Sequence, residues 1–314
     1  MANDIKLISG TSHPELAKEI ADELGLALTR TRTVRFGNEN ILFQCLENVR
    51  ESDVFVIQTS CPPVSDGIVE LLIMIDALRH ASARRITAVL PYFPYARSDK
   101  KDRPRISITA RLIADLLQTA GADRVLTMNL HSPQVQGFFH IPVDQLDSTP
   151  LICDYLLTQP KLDTSVLVAS DIGEAKDLEH YAHRLKLPMA IVDKRRYDDS
   201  EQPVAVGMIG DVVGQNALIV DDEIASAGTM VAAVEFLKSQ GVKHIDAAAV
   251  HPVMSGNAKD KLDESAIERI VVTNSIPIPL ERRSAKVEVV SVAKLFADAI
   301  RAIHGGASVS ELFR

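Results

Sequence analysis

Short apolar runs rich in β-branched residues alternate along the chain with longer segments of helical periodicity. In the first half, strands are predicted at 53–58, 85–93 and 124–130, and amphipathic helices at 67–81 and 106–121. The second half continues the alternation, with strands predicted at 165–170, 189–194, 217–222 and 245–250 and helices at 175–185, 229–241 and 292–304. Apolar strands with little alternation, separated by helices, are typical of a mainly parallel sheet covered on both faces. The pattern therefore predicts an α/β protein.

The chain also contains a weak internal repeat. The segments 121–131 and 241–251 align without a gap, and each runs from a helix-ending glycine through a predicted strand to a histidine. This similarity indicates two structurally similar halves. We place their boundary where DSTP interrupts the pattern, which gives an N-terminal domain of residues 1–148 and a C-terminal domain of residues 149–304. The tail, 305–314, is expected to fold back onto the first domain.

The composition fits two globular domains. The 314 residues include 46% hydrophobic and 24% charged residues, an ordinary balance for a folded protein with a sizeable core. The 42 acidic residues outnumber the 34 basic ones, and the formal net charge is -8. Nucleic-acid binders usually carry a basic excess, so we expect no nucleic-acid partner, although a local basic site for a small anion is not excluded.

The N-terminal segment and the cysteines indicate a cytoplasmic protein. The N-terminus lacks the basic and apolar regions of a secretory signal, and the longest apolar stretch, 68–78, is interrupted by acidic residues and too short to span a bilayer. We therefore expect no membrane association. Cys45, Cys61 and Cys153 have no metal-binding or redox spacing, and a sparse, odd number of cysteines fits a reducing compartment.

The stretch 217–229 reads ALIVDDEIASAGT, an apolar strand followed by acidic and then by small residues. Asp221 and Asp222 would lie at the carboxyl end of the strand, where parallel sheets bind ligands. The residues after them have small side chains or none: Ala225, Ser226, Ala227, Gly228 and Thr229. Their backbone N–H groups and the positive end of the next helix suit a phosphate, and the two carboxylates can accept hydrogen bonds from vicinal hydroxyls. The stretch predicts a sugar-phosphate site, against the alternative of a solvated turn.

Five further segments join this stretch in a family resemblance. They are FPYARSDKKDRPR (93–105), GADRVLTMNLHS (121–132), VQGFFHIPVD (135–144), VVTNSIPIP (271–279) and SVSELF (308–313). In the order and spacing of these motifs, the chain resembles the class I ribose-phosphate pyrophosphokinases. The resemblance implies two similar phosphoribosyltransferase-type domains, each a mainly parallel sheet flanked by helices. It also implies synthesis of phosphoribosyl pyrophosphate (PRPP) from MgATP and ribose 5-phosphate, with AMP as the leaving group, by a hexamer built from dimers.

The resemblance places two catalytic cations, Lys194 and Arg196, in the segment 189–207. In the family this segment carries a mobile loop that closes over the transferring group. Phosphoryl transfer depends on positioning and positive charge rather than on a covalent nucleophile, so two cations on a closing loop are suited to it. For the neighbouring Arg195 and Tyr197, a solvated hairpin is the preferred interpretation.

The resemblance also assigns residues to MgATP. Arg97 and Asp99 match positions at the ATP phosphates, and His131 matches a histidine close to both ATP and the metal. Asp171 matches an acidic metal ligand in the pyrophosphate loop. Mg²⁺ is the expected ion, since it prefers oxygen ligands and usually binds together with substrate phosphates.

An adenine site is implied at Phe36 and Asn38, reached from the neighbouring subunit. An aromatic ring can stack on the base and an amide can bond its edge. Beside this site the chain departs from the family, because Asn40 stands where Glu is usual. Adenine selectivity is therefore expected to be weaker than is usual in the family.

Further departures concern the phosphates. Ser98 stands where the family usually has Gln, so one side chain long enough to contact the triphosphate is missing. Glu174 and Asp177 add carboxylates to the pyrophosphate loop, an electrostatic disadvantage unless magnesium or Lys176 compensates. Ser226 stands where the family usually has Thr, and Ala227 replaces the usual residue after it. Both changes are mild.

Two other functions stay open at this point. The chain could be a regulatory paralogue that has lost turnover, or a phosphoribosyltransferase that consumes PRPP. Retention of Lys194, Arg196 and the acidic pair speaks against the first. Chain length and the duplicated halves speak against the second, for which one domain would suffice.

The resemblance also implies a regulatory site between subunits. At this site phosphate is expected to activate the enzyme and ADP to inhibit it. Matching positions are Arg50, Ser82, Arg105, Gln136, Asp144, Ser308, Ser310 and Phe313.

Overall fold

The structure, a computed structural model, describes residues 4–170, 173, 175–195 and 204–313, without the side chains of 175–177, 193–195, 204–206 and 313. The strands are β1 (Ile5–Ser9), β2 (Thr31–Arg35), β3 (Ile41–Cys45), β4 (Asp53–Ile57), β5 (Arg85–Leu90), β6 (Arg124–Met128), β7 (Val143–Leu146), β8 (Ser165–Ala169), β9 (Met189–Arg195), β10 (Val204–Ile209), β11 (Asn216–Glu223), β12 (Ile245–His251), β13 (Arg269–Thr273) and β14 (Val287–Val290). The helices are α1 (Pro14–Leu24), α2 (Val64–His80), α3 (Thr109–Ala120), α4 (Thr149–Leu156), α5 (Ala175–Leu185), α6 (Gly228–Ser239), α7 (Ala258–Glu264) and α8 (Ala293–Gly305).

The chain forms two compact units that are not contiguous in sequence. The first comprises Met1–Asp147, Ser275–Pro277 and Val292–Arg314, and the second comprises Ser148–Asn274 and Ile278–Ser291. Both contain a sheet that is wholly or largely parallel, so the predicted α/β class with mainly parallel sheets flanked by helices is confirmed.

The first unit is built on a parallel sheet in the order β1-β4-β5-β6-β7. All residues of β4 are buried, as expected for a strand covered by helices on both faces. A separate antiparallel hairpin, β2 with β3, has no counterpart among the predicted strands. Its strands include arginine, glutamine and threonine and are only partly buried, so they lack the continuous apolar runs that identified the central strands.

Helix α8 belongs to the first unit, whereas the sequence prediction placed residues 292–304 in the second domain. Its buried face includes Phe296, Ile300 and Ile303, and it packs against α1. On its polar side, the His304 ring nitrogen Nδ1 lies 2.8 Å from Oδ2 of Asp53 on β4. The amphipathic pattern correctly gives the helix, but it cannot say which sheet covers the apolar face.

The second unit has a sheet in the order β10-β9-β8-β11-β12-β13-β14. Its neighbours pair in parallel except β9 with β10, which are antiparallel. Strand β11 therefore lies inside the sheet, between β8 and β12, and its residues 217–220 are buried. Within the described residues, no helix is both long and apolar enough to cross a membrane.

Candidate functional site

The acidic pair of the second unit lies at the carboxyl end of β11. Val220 is buried, whereas Asp221 and Asp222 are partly exposed. Val220 pairs with Ala169 of β8, so the residues that follow β8 and β11 emerge at the same edge of the sheet. This is the edge at which parallel α/β sheets bind ligands.

Asp221 is oriented by two hydrogen bonds. The hydroxyl of Ser170, which directly follows β8 and is 1% exposed, donates to Asp221 Oδ2 at 2.9 Å. The backbone N–H of Asp222 donates to Asp221 Oδ1, also at 2.9 Å. An ionised carboxylate only accepts hydrogen bonds, and these two contacts hold the plane of the Asp221 carboxylate at the ligand edge. Ser170 was not among the predicted site residues.

The small residues after the acidic pair form a tight strand-to-helix turn. Ala227 is buried and has φ +60° and ψ 0°, a left-handed conformation that residues other than glycine seldom adopt. Helix α6 begins at the next residue, Gly228, slightly earlier than predicted. The first N–H groups of a helix have no helical acceptors and carry the positive end of its dipole. The turn therefore has the properties predicted for a phosphate-binding loop.

The predicted catalytic residues lie largely outside the described part of the chain. Asp171 and Arg196 are not described, and neither is the side chain of Lys194. The backbone of Lys194 belongs to β9, where it pairs with Ala205 of β10. Strand β9 pairs with β8, so Lys194 lies on the strand beside the one that leads to Ser170. Of the two extra carboxylates, Glu174 and the side chain of Asp177 are likewise outside the description.

In the first unit, the predicted ATP-phosphate residues follow two neighbouring strands. Arg97 is exposed and Asp99 is partly exposed in the connection after β5, and exposed His131 follows β6. Since β5 and β6 pair in parallel, these connections emerge at one edge of the sheet. Ser98, a departure from the family, accepts the backbone N–H of Thr109 at 3.2 Å and so supports the start of α3.

The predicted adenine residues lie on the β2–β3 hairpin, not at the edge of the sheet. Phe36 is 49% exposed, and its N–H donates to the carbonyl of Asn40 at 2.9 Å. The side-chain oxygen of Asn38 accepts the N–H of Asn40 at 3.2 Å, which leaves the Asn38 amide NH₂ as the group available for a base. An exposed aromatic ring at a hairpin tip is suited to stacking.

The predicted regulatory residues fall in the first unit, in more than one place. Arg50 is exposed, and the N–H of Glu51 next to it donates to the carbonyl of Ser82 at 2.9 Å, so this pair is brought together. Gln136 donates to Gln145 at 2.9 Å, beside Asp144, which pairs with Arg124.

The remaining regulatory positions are Arg105, Ser308, Ser310 and Phe313. Arg105 is exposed with φ +66°, and the hydroxyls of Ser308 and Ser310 lie 2.8 Å apart. The side chain of Phe313 is not described. Among the described residues, the structure thus brings three parts of the set together: Arg50 and Ser82 through Glu51, Gln136 and Asp144 through Gln145, and Ser308 with Ser310.

For magnesium, the residues supply part of a donor set. Among the described residues, no three His, Cys, Asp or Glu side chains form a group that could hold a metal ion. Partly exposed carboxylates such as Asp221 and Asp222 are nevertheless hard oxygen donors. Magnesium usually binds with one or two carboxylates, waters and substrate phosphates, so the chemistry of these donors fits an ion that arrives with a nucleotide.

The opposite edge of the second sheet contains a charged cavity of about 240 Å³. Lys161, His244 and Glu268 meet there, with 2.5 Å between His244 Nδ1 and Glu268 Oε1. Burial raises the pKa of the Asp246 carboxyl above its ordinary value, although Arg269 favours the charged form. The hydrogen bond from His244 lowers the pKa of Glu268. This cavity lies at the amino ends of the strands, away from the predicted ligand edge.

Two family models match the chain. The N-terminal domain of ribose phosphate pyrophosphokinase matches residues 5–121, and the phosphoribosyl synthetase-associated domain matches residues 199–314. Ribose-phosphate pyrophosphokinase of Clostridium acetobutylicum is 46% identical over 99% of this chain and 98% of its own length. The Deinococcus radiodurans protein of the same description is 48% identical over 98% of this chain and 97% of its own.

A solved structure agrees with these relatives. Phosphoribosylpyrophosphate synthetase from Mycobacterium smegmatis superposes with a TM-score of 0.91 at 40% identity. The match covers 97% of this chain and 100% of that chain.

Proposed function

The chain belongs to the ribose-phosphate pyrophosphokinase family. From this premise we propose which residues bind each substrate and which act on the transferring group. It is an enzyme of the transferase class, a kinase with ribose-phosphate pyrophosphokinase activity. In the proposed reaction, the anomeric hydroxyl of ribose 5-phosphate attacks the β-phosphorus of MgATP. The bond from the β-phosphorus to the α,β-bridging oxygen breaks, AMP leaves with that oxygen, and PRPP forms.

Ribose 5-phosphate binds at the β11–α6 turn. Asp221 and Asp222 accept hydrogen bonds from the ribose hydroxyls, and the N–H groups of residues 225–229 bind the 5-phosphate. The single observation that carries this assignment is the hydrogen bond from Ser170 to Asp221, because it orients a carboxylate at the ligand edge immediately before a left-handed turn and a helix start. A turn that served only to connect a strand with a helix would not need that arrangement.

Lys194 and Arg196 stabilise the transferring diphosphoryl group. The transition state spreads negative charge over oxygens that have no covalent partner in the protein, so cations brought to them lower the barrier directly. The position of Lys194 on β9, next to β8, supports this role. A loop that closes only over bound substrates would restrict these contacts to the reacting complex.

MgATP binds through residues of the first unit. Arg97, Asp99 and His131 bind the phosphates, and Phe36 and Asn38 bind the adenine held by a neighbouring subunit, which requires a homo-oligomer. The proposed oligomer is a hexamer built from dimers. His131 and Asp171 would hold the magnesium ion, which would neutralise phosphate charge.

Regulation and location complete the proposal. Phosphate activates and ADP inhibits through the eight regulatory positions named above.

The enzyme acts in the cytoplasm, where its free cysteines, Cys45, Cys61 and Cys153, stay reduced. We expect neither nucleic acid nor membrane as a partner.

The test is product formation from ATP labelled with ¹⁸O in the α,β bridge. With ribose 5-phosphate and magnesium present, we expect AMP and PRPP in equal amounts, with the label in AMP by ³¹P NMR. No AMP without ribose 5-phosphate is the matched control. A regulatory paralogue would bind substrates without forming AMP, and a PRPP-consuming transferase would instead release pyrophosphate from PRPP and a base; either result contradicts the proposal.

A further inference from the structure

Helix α7 is attached to the phosphate-binding turn through the segment that precedes it. The N–H of Ile224 donates to the carbonyl of His251, the N–H of Met254 donates to the carbonyl of Ile224, and the N–H of Ser255 donates to the carbonyl of Ala225. All three distances are 2.9 Å. The chain that follows β12 therefore continues alongside the turn before α7 begins.

The far end of α7 is fixed as well. The ammonium group of Lys286 donates to the carbonyls of Leu262, Asp263 and Ser265 at 2.8, 3.0 and 2.8 Å. The carbonyls at the end of a helix receive no N–H donor from the helix itself, so a cation at this end stabilises it. With Ala258 and Leu262 buried, the backbone of α7 is held in place relative to the turn.

Lys261 reaches from this helix to the turn. Its ammonium group donates to the carbonyl of Ser226 at 3.2 Å. It also lies 3.8 Å from the position that a Cβ atom on Gly228 would occupy. A side chain longer than a methyl group at residue 228 would therefore crowd the Lys261 ammonium group.

The contact controls the direction of a peptide group. In a trans peptide the C=O and the following N–H point in opposite directions. When Lys261 binds the Ser226 carbonyl, the N–H of Ala227 is turned to the other side of the loop. Ala227 itself has φ +60°, a conformation that costs free energy without glycine and needs support from its surroundings.

We propose that Lys261 is a positioning residue for ribose 5-phosphate, one that holds the Ser226–Ala227 peptide with its N–H directed at the 5-phosphate. The inference rests on the proposed function of the turn and deepens it. Lys261 acts through the peptide and not through the reacting atoms, so its removal weakens binding of ribose 5-phosphate and leaves the chemical step intact.

The variants are Lys261→Met, which removes the donor, and Lys261→Arg, which restores one. Lys259→Met is the matched control, since Lys259 lies on the same helix but pairs with Asp263 at 2.8 Å. We expect Lys261→Met to raise the KM for ribose 5-phosphate about tenfold, with kcat and the ATP KM within about twofold. Lys261→Arg should recover most of the loss, and Lys259→Met should match the wild type.

Binding of ribose 5-phosphate without ATP, measured by calorimetry, separates this inference from the proposed reaction. A wild type that binds ribose 5-phosphate but forms no AMP contradicts the reaction, and the binding ratio of Lys261→Met to wild type still tests the inference. Lys261→Leu, which also has no donor, gives the same comparison if thermal melting shows that the Met variant is unfolded. An unchanged KM and affinity in a folded variant, or a loss in kcat alone, would overturn the role of Lys261.

Discussion

Ser170 donates its hydroxyl to Oδ2 of Asp221 at 2.9 Å, across 51 positions of sequence. The contact joins the carboxyl ends of β8 and β11, two strands that are adjacent in the sheet but separated along the chain by β9 and β10. It fixes the plane of the first carboxylate before any ligand is present. The proposed ribose site is thus preorganised by a residue that needs no contact with the sugar.

Ser170→Ala should weaken ribose 5-phosphate without abolishing turnover. Loss of one hydrogen bond to a charged group costs about 1.5–3 kcal/mol, and we expect the lower end because Asp222 still holds the other oxygen, giving a rise in KM of about tenfold. Ser165→Ala is the matched control, since Ser165 is a buried serine at the other end of β8, bonded to the carbonyl of Lys161. An equal effect of both substitutions on KM would show that the contact has only a general structural role.

Asp221→Asn and Asp222→Asn test the carboxylates directly. If they accept the ribose hydroxyls, each change should raise the ribose 5-phosphate KM well above any change in the ATP KM, at a cost of about 1.5–3 kcal/mol. Steady-state AMP formation at varied ribose 5-phosphate measures this. Variants with unchanged KM and kcat would contradict the ribose assignment.

The sequence predicts the position of the β11–α6 turn well because the information for that turn is local. An apolar strand, two carboxylates and five small residues suffice for the prediction, and the structure places them at a carboxyl strand end before α6. The partners of the turn are not local. Neither Ser170 nor Lys261 carries a distinguishing signal, because the order of strands and the position of α7 depend on packing that periodicity does not encode.

Nucleotide selectivity should depend on Asn40. A carboxylate there could accept the exocyclic amine of adenine and repel the carbonyl of guanine, whereas an amide discriminates less. We expect Asn40→Glu to raise the preference for ATP over GTP by about tenfold, measured as the ratio of kcat/KM values. Asn38→Ala should lower activity with ATP, since its amide NH₂ remains available to the base. A preference that Asn40→Glu lowers or leaves unchanged would remove this residue from the adenine site.

Two aspartates of the second unit should respond to pH in opposite directions. Burial raises the pKa of Asp246 above 3.8, so the folded chain holds this proton more tightly and the contribution to stability is lost as pH rises through the folded value. The hydrogen bond from Lys259 lowers the pKa of Asp263 below 3.8, so its contribution is present above that value and lost as pH falls through the folded one.

Urea unfolding across the acid-to-neutral range measures both aspartates. Relative to wild type, Asp246→Asn should gain stability as pH rises, because an unfavourable buried charge is removed. Asp263→Asn should lose stability at neutral pH, and the loss should shrink toward acid. Parallel pH profiles for the two variants would contradict the assigned burial and pairing.

The fold was predictable where each strand is a continuous apolar run, and less so elsewhere. Strands β4 and β8 are wholly buried, β5 is buried except at Arg85, and the apolar pattern predicts all three. The apolar pattern does not indicate the β2–β3 hairpin, because its side chains are mixed and partly exposed. The pattern also cannot assign α8 to a unit, because the apolar face of the helix fits any core.

The most direct test of the mechanism is the turnover of Lys194→Ala. If the loop cations act on the transferring diphosphoryl group, their effect belongs to the transition state, and kcat should fall by about a hundredfold, or about 3 kcal/mol, with the ATP KM within a few-fold. Arg195→Ala is the matched control, since it removes a cation from the next residue of β9, to which the proposal gives no catalytic role. The measurement is steady-state AMP formation at saturating magnesium, with a thermal melt to confirm folding. A folded Lys194→Ala enzyme that turns over at the wild-type rate would contradict the mechanism.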